Sequence, residues 1–184
     1  MKNGFVSERY IPILSGFVLA TLFIFSAIGL YFKSKRNTGY IIADDVAQLT
    51  TILENINKTC KIIDFDYQQN WINFLNVGSF EGSEVGTMNL AYPQKWEGPY
   101  LKDNPTMQEK EYMVVNTNKG YFVTPGNGVK LPKGDIIGKD IKLDESADIM
   151  QLIMDGTLKY RGKALAAPLD LSSPEILPGV LLSP

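Results

Sequence analysis

The feature that most constrains this chain is an uncharged run near its N-terminus. No charged residue lies between Arg9 and Lys33. Within this gap, residues 11–32 carry only two serines, one threonine and a terminal tyrosine as polar side chains. As a helix this run would be about 33 Å long, enough for a hydrocarbon core of about 30 Å. A cleaved signal peptide has a shorter apolar region of roughly 7–15 residues, so the run predicts a retained, single membrane-spanning helix.

Charge is distributed unevenly on the two sides of this run. Residues 1–36 hold five of the 18 basic and one of the 20 acidic residues, which leaves residues 37–184 with 13 basic and 19 acidic residues and a net charge of −6. An acidic body argues against nucleic-acid binding, which usually requires a basic excess. Lysines and arginines flank the run on both sides. They lie closer to the run on its C-terminal side, and by the positive-inside rule this weakly favours a cytoplasmic location for that side.

The numbers of histidine and cysteine residues limit which catalytic and metal-binding sites the chain can form. The chain contains no histidine and a single cysteine, Cys60. Histidine metal sites, histidine general bases and an internal disulfide are therefore excluded. Neither of the common glycine-rich phosphate-binding motifs is present. We therefore expect no enzymatic activity, no cofactor and no small-molecule substrate.

A second helical pattern follows the apolar run. Apolar residues recur at alternating steps of four and three, which is typical of one helix face. This seam consists of Ile42, Val46, Leu49, Leu53, Ile56, Cys60 and Ile63. It could pair with a partner helix as a short coiled coil, or it could lie on the chain's own sheet. The strand-rich sequence that follows favours the second interpretation.

The remaining chain predicts short strands and one short helix. Residues 111–124 contain two β-rich runs around Asn118-Lys119-Gly120, which indicates a hairpin. Residues 129–137 contain a second turn signal. Residues 146–155 predict a short helix with Ser146 as its N-cap.

The predicted fold class is α+β, with a long N-terminal helix packed on a small antiparallel sheet. The C-terminal tail is rich in proline and apolar residues, so it predicts docking on a partner or on its own domain. The predicted segments are a basic leader at 1–10, a transmembrane helix at 11–32, an amphipathic continuation at 33–63, a head at 64–163 and the tail at 164–184.

One local motif carries a family resemblance. Residues 96–102 read WEGPYLK, which is similar to the W-x-GPYL-K element that major pseudopilins of type II secretion systems carry before their sheet. The matching positions are Trp96, Gly98, Pro99, Tyr100 and Leu101. Together with the N-terminal span and helical continuation, the chain resembles the type IV pilin-like proteins.

The resemblance implies a structural subunit of a filament or secretion apparatus. Such a protein would sit in a bacterial inner membrane with its head outside the cytoplasm, and it would assemble with copies of itself or with other pilin-like subunits. Leader processing would fall between Gly4 and Phe5. Glu8 would be the counterpart of the family's assembly glutamate, although it stands at the fourth position from Phe5 where the family has the fifth.

The resemblance also implies a calcium loop late in the head. Its candidate ligands are Asp135, Asp140 and Asp144, although scattered aspartates are more often surface acids. An alternative function stays open at this point. The chain could be a single-pass, membrane-anchored binding module that uses the seam as a coiled coil, or the tail, to hold its partner.

Overall fold

The computed structural model describes the backbone of residues 10–172 and the side chains of residues 15–30 and 38–172. The chain divides between Thr38 and Gly39 into two compact units. Helix α1 spans Tyr10–Cys60 and contributes residues to both units. The described part of the second unit, residues 39–172, is called the head.

The head combines the second half of α1 with short strands and a second helix. The strands are β1 Ile62–Phe65, β2 Gln69–Trp71, β3 Glu84–Val85, β4 Met88–Leu90, β5 Thr106–Met107, β6 Lys110–Glu111, β7 Met113–Thr117, β8 Gly120–Thr124, β9 Lys159–Tyr160, β10 Lys163–Ala164 and β11 Ala167–Leu169. A 3-10 helix spans Pro93–Lys95, and helix α2 spans Ile149–Met154.

All paired strands of the head run antiparallel. A four-stranded sheet has the order β11-β8-β7-β2, and a three-stranded sheet has the order β1-β4-β3. Strands β5 and β6 form one two-stranded ribbon, and β9 and β10 form another. Helix α1 packs with the central strands β7 and β8 in one apolar core. The predicted α+β class, with helices packed on antiparallel sheets, is confirmed.

The hairpin predicted within residues 111–124 is also confirmed. Strands β7 and β8 pair down to Thr117 and Gly120, which leaves Asn118 and Lys119 as the loop. The Thr117 hydroxyl closes this loop, because it donates to the Gly120 carbonyl at 2.9 Å and accepts from the Lys119 N–H at 3.1 Å. The turn chemistry therefore fixes the register of the two central strands.

Helix α1 ends three residues before its predicted end at Ile63. Lys61 adopts a left-handed backbone with φ of 54°, which stops the helix after Cys60. The side-chain oxygen of buried Asn57 then accepts the Ile62 N–H at 3.0 Å and directs the chain into β1. Ile63 consequently lies on a strand and is exposed. The prediction that Ile63 belongs to the seam was wrong. The spacing of apolar residues does not indicate where a side-chain hydrogen bond ends a helix.

Helix α2 is shorter than the predicted helix at 146–155. Its N-cap is Asp148, whose carboxylate accepts the Gln151 N–H at 3.1 Å. The predicted cap, Ser146, instead donates its hydroxyl to Asp144 at 2.7 Å. Aspartate and serine cap helices about equally well, so the sequence alone does not choose between them.

The second turn signal forms a turn but no regular strands. Within residues 129–137, Lys130 and Ile136 form an isolated bridge. The Leu131 N–H donates to the Asp135 carbonyl at 2.8 Å across the turn. The predicted turn is therefore present, but the flanking segments pair over too few residues to count as strands.

The beginning of the predicted tail at 164–184 belongs to the head. Strand β11 adds to the edge of the four-stranded sheet beside β8, with Pro168 opposite Phe122. Proline has no N–H to donate to a neighbouring strand, so it is tolerated in an edge strand, where one side of the backbone has no partner strand. The Asn57 amide also donates to the Asp170 carbonyl at 3.4 Å. The first part of the predicted tail therefore docks on its own domain, and residues 173–184 lie outside the described chain.

Candidate assembly surface

Residues 15–30 of α1 expose large apolar side chains on all sides of the helix. Phe17, Val18 and Leu19 are each at least half exposed, although successive helical residues point about 100° apart. Phe23 is 77% exposed one turn further on. A helix that is apolar all round is normally covered by protein or by lipid. This surface is therefore the strongest interaction candidate in the first unit.

A polar side chain inside this surface is satisfied by the helix itself. The Thr21 hydroxyl donates to the Phe17 carbonyl one turn earlier, at 2.7 Å. Because this bond satisfies the hydroxyl donor, placing the threonine in an apolar environment costs little free energy. The surface is thus compatible with lipid tails or with apolar neighbouring helices.

In the stretches with described side chains, residues 15–30 and 38–172, no helix is long and apolar enough to cross a membrane. The predicted span at 11–32 extends past the first of these stretches at both ends. The predicted leader residues Gly4, Phe5 and Glu8 lie outside the described residues altogether.

The seam of α1 is buried inside the head. Its six members from Ile42 to Cys60 are each at most 2% exposed and belong to the same apolar cluster as Val115 and Phe122. The helix-on-sheet interpretation is therefore confirmed. The coiled-coil interpretation fails, because side chains already buried in their own domain have no apolar area left for a partner helix.

The WEGPYLK motif builds an aromatic cluster at the surface of the head. The Trp96 ring packs edge-on against Phe80 and Tyr100, with ring centroids 5.3 Å and 4.8 Å away. Its indole N–H donates to the Val77 carbonyl at 3.0 Å. Edge-to-face contacts of this kind add to the stability gained by burying the rings. Trp96 therefore connects its own loop to the loop that carries Val77.

Gly98 is required by the close packing around Trp96. A Cβ atom at this position would lie 2.3 Å from the Trp96 indole nitrogen and 2.4 Å from the Val77 carbonyl oxygen. Both distances are far below van der Waals contact. Pro99 follows through a cis peptide bond. The glycine in this motif is therefore explained by the lack of room for any side chain.

The end of the motif is hydrogen-bonded to the chain that precedes it. The N–H groups of Tyr100 and Leu101 both donate to the Leu75 carbonyl, at 2.8 Å and 3.1 Å. Burial raises the pKa of the Tyr100 phenol, so the side chain stays neutral. The motif thus acts as a packing element.

A second long-range polar contact joins α1 to the strand region. The hydroxyl of fully buried Tyr112 donates to the Asp45 carboxylate at 2.7 Å. Burial raises the pKa of Asp45, and the like charge of Asp44 adds to the increase. Burial and the contact with Asp45 also raise the pKa of Tyr112. Sequence reasoning missed this pair, because nothing local links two residues so far apart in the chain.

The three calcium candidates serve local roles in the described chain. The Asp140 carboxylate accepts the Ile136 N–H at 2.9 Å, and the Asp144 carboxylate accepts the Ser146 N–H at 3.1 Å. The backbone carbonyl of Asp135 accepts a turn hydrogen bond. Within the described residues, no three Asp, Glu or Cys side chains group so that they could hold a metal ion.

Sequence reasoning also missed an aromatic contact at the start of the head. A Cβ atom on Gly39 would lie 2.3 Å from the Tyr160 ring, so the ring packs directly on the helix backbone. The Tyr40 ring meets Tyr160 edge-on at 5.8 Å. Strands β9 and β10, residues 159–164, are called the Tyr160 hairpin, and this contact fixes the hairpin to α1.

Cationic side chains surround these two rings. The Arg161 guanidinium lies 5.7 Å from the centre of the Tyr160 ring, and the Lys163 ammonium lies 5.5 Å from the centre of the Tyr40 ring. Lys163 also forms a salt bridge of 2.7 Å with Asp44. A hydrogen bond to Tyr40 helps to raise the pKa of Arg161, which therefore stays charged.

No protein-family model, curated protein or solved structure matches this chain. Functional inference therefore depends on its own residues and their geometry.

Proposed function

We propose that this chain is a pilin-like structural subunit, similar to the major pseudopilins of type II secretion systems. In this proposal, residues 11–32 span a bacterial inner membrane once, and the head lies outside the cytoplasm. The chain assembles with copies of itself or with other pilin-like subunits through its apolar N-terminal helix. Its chemistry is association, and the head contributes the outer surface of the assembly.

The observation that carries this proposal is the contrast between the two halves of α1. The first half exposes apolar side chains all round over residues 15–30, whereas the second half buries its seam in the head. Apolar helix surfaces exchange lipid tails for neighbouring helices at little net cost. A subunit with such a helix can therefore be stored in a membrane and later move into a helical filament core.

The leader adds a second element to the proposal. In it, a peptidase cuts between Gly4 and Phe5, and Glu8 pairs with the new amino group of a neighbouring subunit. A carboxylate in an apolar environment is costly unless it is paired, so this contact would set the order of assembly. Mass spectrometry of the mature protein tests the cleavage: a new N-terminus at Phe5 is expected, and an intact Met1 would rule out the processing step.

Crosslinking in native membranes tests the assembly step. The native Cys60 is fully buried, so a new exposed cysteine can be read with little background. Leu22→Cys places a thiol on the apolar surface, and Lys139→Cys places a matched thiol on an exposed loop of the head. With a membrane-permeant bis-maleimide, we expect dimers and larger products from the first variant and mainly monomers from the second.

The same crosslinking experiment, extended to further positions, can exclude the assembly step. If cysteines placed singly at the exposed positions of residues 15–30 all gave monomers, assembly through this helix would be excluded. The membrane anchor would not be affected by that result.

A reporter fusion tests the orientation. A phosphatase that is active only outside the cytoplasm, fused after Pro184, is expected to show activity. The basic residues that follow the apolar run lean toward the opposite orientation, so this test is demanding. A cytoplasmic C-terminus would exclude the pilin-like function.

A further inference from the structure

The Tyr160 hairpin carries a cation at its tip. Arg161 and Gly162 form the two-residue loop, and both have positive φ angles, 48° and 87°. Such turns favour Asn-Gly or Gly-Gly, yet Gln108 and Glu109 adopt the same left-handed backbone in the β5–β6 loop. The turn places the Arg161 guanidinium beside the Tyr160 ring, with a hydrogen bond to Tyr40.

The hairpin is also a cationic island on an acidic head. Residues 156–169 contain Lys159, Arg161 and Lys163 and no acidic residue. The rest of the chain after residue 36 holds ten basic and 19 acidic residues. In the described chain Arg161 contacts Tyr160 and Tyr40 but forms no salt bridge, so no carboxylate neutralises its charge there. Tyr40 and Tyr160 add two aromatic rings beside these cations.

The hairpin packs on a residue that follows the predicted span closely in the sequence. Gly39, on which Tyr160 packs, follows Phe32 by seven residues. Tyrosine, lysine and arginine are the residues enriched at the boundary between a membrane and water. The composition of the hairpin therefore matches its sequence distance from the predicted span.

We propose that the Tyr160 hairpin binds the phosphate groups of anionic phospholipids at the membrane surface. This inference depends on the membrane anchor of the proposed function. Arg161 supplies a planar, two-pronged donor for phosphate. Lys159 adds charge, Lys163 is already paired with Asp44, and the two tyrosine rings rest among the headgroups. The contact would hold the start of the head against the membrane until the subunit leaves it.

Photolabelling of the full chain in lipid vesicles tests this contact. One set of phosphatidylcholine vesicles carries photoactivatable phosphatidylglycerol, and a second set carries photoactivatable phosphatidylcholine. Cleavage after Asp155 and Asp170 releases residues 156–170 as one peptide for mass spectrometry. We expect this peptide to be labelled preferentially by the anionic lipid, and the preference to weaken with salt.

Arg161→Asn is the informative variant, because it keeps a residue that suits the turn while it removes the charge. We expect its labelling by the anionic lipid to fall roughly fivefold, the effect of one cation near such a surface. Lys139→Asn, on another exposed loop, is the matched control and should label as the wild type does.

Each contrary outcome has a separate meaning. Equal labelling of the wild type and Arg161→Asn, or equal labelling by the two lipids, would overturn this inference and leave the anchor intact. Failure of the full chain to insert into either vesicle would overturn the inference and the proposed anchor together. If Arg161→Asn reduced crosslinking between subunits and left lipid labelling unchanged, the hairpin would bind a neighbouring head and not lipid.

Discussion

At the scale of single residues, the contact between Asp45 and Tyr112 combines a stabilising bond with an electrostatic cost. The carboxylate accepts the hydroxyl of a fully buried tyrosine, yet burial raises the Asp45 pKa above its ordinary value. The folded state therefore binds the proton of the Asp45 carboxyl group more tightly than the unfolded state does. Its contribution to the free energy of unfolding is largest at low pH and decreases as pH rises through the window above 3.8.

Two substitutions separate the bond from the charge. Asp45→Asn keeps an oxygen acceptor for Tyr112 and removes the charge, so we expect it to be at least as stable as the wild type at neutral pH. That advantage should shrink as the pH is lowered and the wild-type carboxyl becomes neutral. Asp45→Ala leaves the buried hydroxyl without its acceptor and should cost about 1–3 kcal/mol. Urea unfolding at several pH values measures both effects, and a pH-independent advantage would contradict the electrostatic argument.

Gly98 gives a second prediction at the residue scale. Gly98→Ala would place a Cβ atom against the Trp96 indole and the Val77 carbonyl, and the carbonyl belongs to backbone that cannot simply rotate away. We expect a lower melting temperature and altered near-ultraviolet circular dichroism from the tryptophan. Gly78→Ala is the matched control, because its Cβ would meet Pro99 at an ordinary 3.7 Å. Equal melting temperatures for the two variants would show that the motif tolerates a side chain.

At the scale of elements, the two interpretations of the seam predict different effects of one substitution. Leu53 is fully buried in the head, so Leu53→Ala should lower the free energy of unfolding by about 2–5 kcal/mol. Thr51→Ala, on the exposed face of the same helix, should change it by less than about 0.5 kcal/mol. Chemical denaturation at two protein concentrations provides the check. A concentration-dependent midpoint would indicate a helical dimer, contrary to the buried seam.

The joint between α1 and the Tyr160 hairpin gives another prediction for an element. Alanine normally stabilises a helix by about 1 kcal/mol relative to glycine. At Gly39 the new methyl group would collide with the Tyr160 ring, so Gly39→Ala should instead lower the melting temperature of the head. Gly29→Ala meets nothing within 4 Å and should leave that temperature unchanged. A stabilised Gly39→Ala head would show that the ring can move away at no cost.

Periodic sequence patterns predicted the helices and strands of this chain. Where a prediction was wrong or missing, the cause is a contact between side chains that such patterns do not encode. The seam and the β7–β8 hairpin follow from local spacing and turn chemistry, so the sequence was enough to place them. The end of α1 depends on the Asn57 side chain that caps Ile62, and the cap of α2 depends on Asp148. The packing of Tyr160 on Gly39 joins distant parts of the chain, so no local pattern could indicate it.

At the scale of the whole molecule, the two units are matched to different surroundings. Every described residue of the head's apolar core lies at Ile42 or later. The chain after residue 36 has a net charge of −6, which favours solubility. The exposed apolar residues of the first unit lower solubility in water. A subunit built this way can change the surroundings of its helix without unfolding its head.

This independence can be tested by expressing residues 37–184 alone. Because every described core residue lies within this segment, we expect a soluble monomer that unfolds in one cooperative transition, whereas the full chain should require detergent or lipid. Leu53→Asp in the truncated chain should abolish folding, since it would bury an unpaired charge. Size-exclusion chromatography with light scattering measures the mass. A folded dimer that dissociates on Leu53→Asp would instead support a coiled-coil tether, and the pilin-like proposal would then lose its structural basis.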